Sequence, residues 1–193
     1  MDIVILAGGY GTRLKGIWNK PKCLIPYQGQ PLIEILINKA LKLGPRKVFL
    51  LLGHRASEVV QWREEHCSHK EIMMMIDPIP GGGTAYALRT WLPLMKYPLM
   101  ILNGDTIPLY DLTDVVNAFN NTTGRTVVAW ANGRYAGTSL FGEYGMETIK
   151  ASRETNLNAF VYASHVYRFK VSGFLDVGTP ETFHKLQTQE KEQ

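Results

Sequence analysis

The 193-residue sequence predicts an α/β fold built on a parallel sheet. Three observations predict it. Aliphatic runs such as Ile3-Val4-Ile5-Leu6 and Lys47-Val48-Phe49-Leu50-Leu51-Leu52 read as strands buried on both faces. Stretches of helical length with one apolar face lie between them. Strand, helix and strand alternate along the chain, which is the pattern of parallel βαβ units.

In order, Ile3 to Leu6 is the first strand, followed by a glycine-rich loop. Pro31 to Leu43 is the first helix. Pro31 suits its first position, Gly44-Pro45 stops it, and Leu32, Ile33, Leu36, Ile37, Ala40 and Leu41 face the sheet. Lys47 to Leu52 is the second strand, and Ser57 is placed to cap a helix ending near His66. Glu71 to Ile76 is the third strand. A second glycine-rich stretch, Asp77-Pro78-Ile79-Pro80-Gly81-Gly82-Gly83-Thr84, leads into a helix with Ala85, Leu88, Trp91 and Leu92 on one side. Leu99 to Leu102 is the fourth strand, Asp111 to Asn121 a helix, and Arg125 to Trp130 the fifth strand. From Ala131 to Ser172 the pattern weakens to short strands and loops, one strand spanning Leu157 to Tyr162. Phe174 to Gly178 is a last strand, Thr179 caps and Pro180 opens a terminal helix, and Gln187 to Gln193 is polar and expected to fray.

Composition narrows the function. The chain is 45% hydrophobic and 20% charged, ordinary for a globular protein. No apolar run approaches a membrane span, and no leader is read at the N-terminus. Cys23 and Cys67 make no disulfide framework, so a reducing cytoplasm is expected. The net charge of +4 suits small polyanions, and no basic stripe with interleaved aromatics points to nucleic acid. His66, Cys67 and His69 lack a second ligand pair for zinc, and Met73-Met74-Met75 reads as core filling.

The chemistry concentrates in Leu6-Ala7-Gly8-Gly9-Tyr10-Gly11-Thr12-Arg13-Leu14, followed by Pro21-Lys22. Three glycines in four positions let the backbone turn and present its N–H groups to an anion. Arg13 adds a planar fork for phosphate oxygens, and Lys22 adds a mobile charge. The spacing matches neither the dinucleotide-binding fingerprint nor a Walker loop. Asp105 and Asp176 each sit at a strand end beside a glycine, where a carboxylate can hold a hard cation such as Mg²⁺.

Taken together, these residues resemble the sugar-1-phosphate nucleotidylyltransferases. The glycine loop is similar to that family's L-A-G-G-x-G-T-R-L and P-K, and the run Cys23 to Ile33 to its P-K-x-L-x-P-x-x-G-x-P-L-I. Asn103-Gly104-Asp105-Thr106 resembles its G-D motif, and Leu175-Asp176-Val177-Gly178-Thr179-Pro180-Glu181 its D-I/V-G-T-P-E motif. The molybdenum-cofactor guanylyltransferases share the glycine loop but are not expected to carry the second string.

The resemblance implies a Rossmann-like nucleotide-diphospho-sugar transferase fold, with a mixed central sheet and helices on both faces. It implies one domain over 1–193, with the nucleotide part at about 1–130 and the sugar-phosphate part at about 131–193. It implies nucleotidyl transfer from a nucleoside triphosphate to a sugar 1-phosphate. Arg13, Lys22 and Asp105 would be catalytic, with Asp105 and Asp176 holding Mg²⁺. Leu6, Ala7, Gly8, Gly9, Gly11, Thr12, Gly83, Thr84 and Asn103 would bind the nucleotide. Gly145, Arg153 and Asn158 would bind the sugar phosphate.

The sequence departs from the family in three places. Tyr86 stands where a glycine is usual, which puts the size of the substrate in question. Gly82 stands where a leucine is usual. The E-K pair expected before an N-x-G-x-Y strand is missing, with Arg153 preferred to Lys150 as its stand-in and Asn158 to Tyr162 as the strand. The length suits the short guanylyltransferases of heptose and mannose 1-phosphates rather than members with a β-helix or acyltransferase extension. The base is open, as is assembly into a homo-oligomer. A phosphocholine-type cytidylyltransferase and a non-catalytic nucleotide-sugar-binding subunit are the alternatives.

Overall fold

The computed structural model describes residues 1–79 and 81–191. The chain opens with β1 (Asp2–Leu6), then a small hairpin of β2 (Pro26–Tyr27) and β3 (Gln30–Pro31) turns into α1 (Leu32–Leu41). β4 (Lys47–Leu52), α2 (Ala56–His66), β5 (Ile72–Ile76) and α3 (Thr84–Trp91) follow. Next come β6 (Leu99–Asn103), β7 (Thr106–Pro108), α4 (Leu112–Asn121), β8 (Val127–Ala131) and β9 (Arg134–Phe141). α5 (Glu143–Ala151), α6 (Asn158–Val161), β10 (Tyr167–Lys170), β11 (Phe174–Asp176) and α7 (Pro180–Lys191) complete it.

The seven-stranded sheet has the order β10-β8-β9-β6-β1-β4-β5. β1 pairs in parallel with β4 and β6, and β4 with β5. β9 runs antiparallel to both β6 and β8. The mixed sheet is therefore as expected, its antiparallel part confined to one side. From β1 the chain moves out to β4 and β5, then returns to β6 on the other flank of β1. Connections leaving the carboxyl ends of neighbouring β1 and β6 diverge there, which opens a crevice.

Helices cover both faces. Ile3 and Ile5 point to a core shared with Ile33, Leu36 and Val115, whereas Val4 points to one shared with Leu88, Ile149 and Phe160. This two-sided burial is why β1 reads as a continuous apolar run. A third cluster of Leu14, Ile25, Leu32, Ile107, Val177, Phe183 and Leu186 packs against the antiparallel β7–β11 ribbon.

Several expectations shift. α1 begins after Pro31, which ends the hairpin. α2 starts after Arg55, held in a left-handed conformation (φ 57°), and Ser57 lies within the helix. β5 is an edge strand, so Met73 is 41% exposed rather than core. The predicted strand at 157–162 is instead the short helix α6 (Asn158–Val161) with its two flanking turn residues: Leu157, Phe160 and Val161 are buried at spacing i, i+3, i+4. The region 131–172 also holds an eight-residue strand, β9, and a nine-residue helix, α5. α7 continues through Lys191, and residues 192 and 193 lie outside the described residues.

Candidate active site

The glycine loop is built by close backbone contact. A Cβ on Gly8 would stand 2.9 Å from Gly53 N, and one on Gly53 would stand 2.7 Å from Gly8 O. The carboxyl ends of β1 and β4 therefore touch without intervening side chains. Gly11 (φ 65°) turns the chain into a single tight turn over Thr12–Leu14. Leu14 is 1% exposed and sinks into the third core cluster with Val177 and Phe183. Burying Leu14 carries Arg13 to the opposite end of the sequence. A Cβ on Gly178 would lie 3.0 Å from Arg13 Nη2, 3.0 Å from Asp176 Oδ1 and 3.4 Å from Asp105 Oδ2. Three charged residues from three distant segments thus converge on one point.

Asp105 is held by the same device. The Gly104 N–H donates to Leu6 O (2.9 Å), and a Cβ on Gly104 would stand 2.5 Å from that oxygen. Only a glycine lets the loop after β6 cross the end of β1 this closely. The Val177 N–H donates to Asp105 O (2.9 Å), and Asp176 pairs with Thr106 across the β7–β11 ribbon. The Gly178 N–H donates to Asp176 Oδ1 (2.9 Å), which fixes that carboxylate. Lys22 Nζ forms a direct ion pair with Asp105 Oδ2. Its stem passes Gly11, where a Cβ would meet Lys22 Cγ at 3.2 Å. Arg134 Nη1 approaches Asp176 Oδ2 at 3.8 Å, with the guanidinium 4.7 Å above the Phe174 ring.

A cleft of about 420 Å³ opens over these strand ends. One wall is Leu51, Leu52, Asp77 and Gly81, at the ends of β4 and β5. The floor is the glycine loop with Lys22, Asn103 and Asp105. The other wall is Ala87, Tyr135, Asn156, Leu157 and Asn158. The start of α3 is stitched to that second wall. The Ala85 N–H donates to Thr155 O (2.8 Å) and the Leu157 N–H to Thr84 Oγ1 (2.9 Å). Gly83 (φ 96°) leaves no room for a side chain against Thr155 O, 2.3 Å from its would-be Cβ.

Neither the cysteine nor the buried tyrosine among the described lining residues is an activated nucleophile. Cys23 is 2% exposed, and burial pushes its thiol up to about 12 despite neighbouring Lys22. Burial likewise raises the Tyr135 phenol, whose hydroxyl lies 3.3 Å from Ser139 Oγ. Among the described residues no group of three or more His, Cys, Asp and Glu side chains forms a metal cage. The donor set is instead two carboxylates aimed at one point, which suits an oxygen-seeking cation that fills its other positions with phosphate and water.

Of the residues singled out in the sequence, Leu6, Ala7, Gly8, Gly9, Lys22, Gly83, Thr84, Asn103, Asp105 and Asn158 line the cleft. Arg13 and Asp176 meet beside it at Gly178. Gly11, Thr12, Gly145 and Arg153 are not among its lining residues. Gly145 lies inside α5, where a Cβ would meet Thr126 Oγ1 at 2.4 Å. Arg153 is exposed and absent from the lining, and Lys150 pairs with Glu147 at 3.4 Å. Tyr86 does not fill the cleft: its ring packs on Gly82, 2.6 Å from the position a Cβ would take there. Sequence reasoning missed Cys23, Asp77, Tyr135 and Asn156 in the lining and Arg134 beside Asp176. For Asp77 a signal existed, because it directly follows the end of a strand, and Asp105 comes two residues after the end of another.

A glycine loop, a lysine and two strand-end aspartates at the reversal of a Rossmann-like sheet define a nucleotidyltransferase architecture. Residues 3–169 match the MobA-like NTP transferase domain, and the chain belongs to that family. The match stops before Asp176 and its motif. The chain is 39% identical over 107 residues to the bifunctional protein GlmU of Thermodesulfovibrio yellowstonii, covering 55% of this chain and 22% of GlmU. It is 31% identical over 121 residues to a probable UDP-N-acetylglucosamine pyrophosphorylase of Acanthamoeba polyphaga mimivirus, covering 61% of this chain and 46% of that protein. The chain thus spans less than half the length of these curated relatives. In fold it resembles HddC from Yersinia pseudotuberculosis complexed with GMP-PN (TM-score 0.78, 19% identity, 98% and 99% of the two chains). It also resembles the CTP:phosphocholine cytidylyltransferase LicC from Streptococcus pneumoniae (TM-score 0.75, 17% identity, 98% of each chain). No helix among the described residues is long and apolar enough to cross a membrane.

Proposed function

We propose that the chain transfers a nucleoside monophosphate from a nucleoside triphosphate to a sugar 1-phosphate, releasing pyrophosphate. The observation that carries this reading is the convergence of Arg13, Asp105 and Asp176 around Gly178, with Lys22 on Asp105. An oxygen of the acceptor phosphate attacks the α-phosphorus as the bond from that phosphorus to the bridging oxygen breaks. The electron pair leaves on pyrophosphate. The acceptor is already anionic, so no protein base or nucleophile is needed, in keeping with the buried Cys23 thiol. Catalysis is then positioning and charge neutralisation.

Each residue has a role in that scheme. The Gly8, Gly9 and Gly11 amides cradle the triphosphate, and Arg13 neutralises the departing pyrophosphate. Lys22 exchanges Asp105 for a phosphate oxygen when substrate enters. Asp105 and Asp176 would hold Mg²⁺, which when bound supplies positive charge to the phosphates of both substrates. Asn158, with Asn156 beside it, offers amide groups to sugar hydroxyls. The names of the relatives support a sugar phosphate as acceptor. Tyr10 and Tyr135 are the aromatic side chains among the described lining residues, too few to cage a quaternary amine, so phosphocholine is the weaker acceptor.

The test is pyrophosphate release with Mg²⁺ from each nucleoside triphosphate against a panel of sugar 1-phosphates and phosphocholine. Release with a sugar 1-phosphate is expected, and Asp105→Asn or Asp176→Asn should cut it about 10²-fold or more. Release with phosphocholine alone, or nucleotide binding without turnover from any pair, would overturn the reading.

A further inference from the structure

Lys22 reaches Asp105 from a fixed base. Cys23 beside it is buried, and the Leu24 and Ile25 N–H groups donate to Pro21 O and Lys22 O, at 3.0 Å each. Trp18 Nε1 donates to Pro21 O (3.1 Å). From that turn the lysine stem runs along the glycine loop. A Cβ on Gly11 would stand 3.2 Å from Lys22 Cγ, and one on Gly9 would stand 3.9 Å from Lys22 Cε. The ammonium ends on Asp105 Oδ2, with the two side chains 17% and 24% exposed. Asp176 is held differently. Its Oδ1 accepts from the Gly178 N–H, and Arg134 Nη1 stands 3.8 Å from its Oδ2 on a side chain that is 57% exposed.

The two pairs differ in strength. A half-buried, charge-assisted hydrogen bond outweighs a long, solvated ion pair. Arg134 therefore leaves Asp176 open, whereas Lys22 closes Asp105. A hard divalent cation bonds a carboxylate directly through oxygen. To reach Asp105 Oδ2 it must displace the ammonium. A displaced ammonium beside a doubly charged ion is repelled, and a half-buried site screens that repulsion poorly. The cost falls only where an anion receives Lys22. The glycine loop under the stem is where such an anion would lie, against the loop N–H groups.

We infer that Lys22 is a lock on the cation site: it keeps free divalent cations off Asp105 and opens when a polyphosphate on the glycine loop draws the ammonium away. The inference rests on the proposed function for Asp105's being a cation ligand and for the loop's holding phosphates. Cation and polyphosphate then enter together, and each raises the other's affinity by the same factor. The free chain is charge-balanced by its own lysine and does not accumulate the ion without substrate.

The test is titration of the whole chain with Mn²⁺, with free ion counted by electron paramagnetic resonance and with neither nucleotide nor acceptor present. Lys22→Met is expected to bind Mn²⁺ about tenfold tighter than the parent, and Lys22→Gln likewise. The gain should vanish when Asp105→Asn is added to Lys22→Met. Arg134→Met, and Lys15→Met at an exposed lysine of the same loop, should each change the affinity less than about threefold. An equal gain from either of these would mean net charge sets the affinity, and would overturn the lock. A second arm needs no substitution and follows the Lys22 ammonium of the parent by nitrogen NMR. Mg²⁺ alone should leave its signal in place, and Mg²⁺ with inorganic tripolyphosphate should shift it. A shift with Mg²⁺ alone, or Mn²⁺ binding as tight in the parent as in Lys22→Met, would overturn the inference. Neither arm reads turnover. A lock in a chain that releases no pyrophosphate from any substrate pair would sink the proposed reaction alone, and turnover by a parent that binds Mn²⁺ freely would sink the lock alone.

Discussion

The two walls of the cleft are built by different rules. The wall formed by β1, β4 and β5 comes from parallel βαβ units, and its functional groups sit within a few residues of strand ends. The wall formed by Tyr135 and Asn156–Asn158 comes from an antiparallel strand and a short helix, stitched to α3 by Thr84 and Thr155. On the first wall backbone meets backbone through glycines. On the second, side chains from separate segments make the surface. Under the proposed reaction, the first geometry suits the phosphates common to every nucleotide, and the second suits the acceptor.

The largest effect should follow from breaking the seam between the walls. Gly104→Ala forces a Cβ to within 2.5 Å of Leu6 O, so the loop must move and take Asp105 with it. Displacement of a catalytic group by about 1 Å costs about 10²-fold in rate. Pyrophosphate release should fall by at least that factor. A variant that keeps its turnover would mean Asp105 is not positioned by this crossing.

The acceptor wall offers a smaller and more selective effect. Asn158→Ala should raise KM for the sugar 1-phosphate about tenfold, while nucleotide affinity measured by titration stays the same. Equal losses for both substrates would mean the walls do not divide the labour.

A substitution behind that wall should act on stability. Gly137 in β9 has φ 78°, and a Cβ there would meet Thr106 Cγ2 at 2.6 Å. Gly137→Ala combines a left-handed alanine with a clash beside Asp105. The expected loss is about 1–3 kcal/mol, read from the urea midpoint. An unchanged midpoint would mean β9 and β7 can separate without cost.

The same division explains what the sequence showed. β1, β4 and β6 were legible because each is buried on both faces and reads as an unbroken aliphatic run. The glycine loop, Asn103 to Asp105 and the string around Asp176 were legible because their geometry is local to a strand end. β9 was not, because seven of its eight residues are buried yet include Thr138, Ser139 and Gly137. A strand buried on both faces and carrying small polar residues shows neither alternation nor an aliphatic run. The packing of Gly145 on Thr126 was not legible for a related reason: a glycine demanded by helix packing looks in sequence like one demanded by a ligand. Arg134 and Tyr135 come to the site only through the pairing of β9 with β6 and β8, which no local pattern announces.

The smallest effect at working pH involves one titrating group from each side of the cleft. Cys23 lies beside the phosphate loop and Tyr135 on the acceptor wall, and burial raises both. A raised acid keeps its proton in the folded chain after the unfolded chain has lost it. For Cys23 the unfolded thiol ionises near 9.0 and the folded one near about 12. Above pH 9 the unfolded state therefore binds fewer protons, and stability falls as pH rises, while nothing changes at pH 7 to 8. The Tyr110 and Tyr135 phenols add the same sign above their ordinary value of 10.0. Urea midpoints at pH 7.5, 9.5 and 10.5 should decline in that order. Cys23→Ala should flatten the first step and leave the decline that the tyrosines cause. A Cys23→Ala profile that parallels the parent would mean the thiol is reached by solvent in the folded chain. The floor of the cleft would then be looser than its packing indicates, and the contrast between a rigid phosphate side and an adaptable acceptor side would fail at its firmest point.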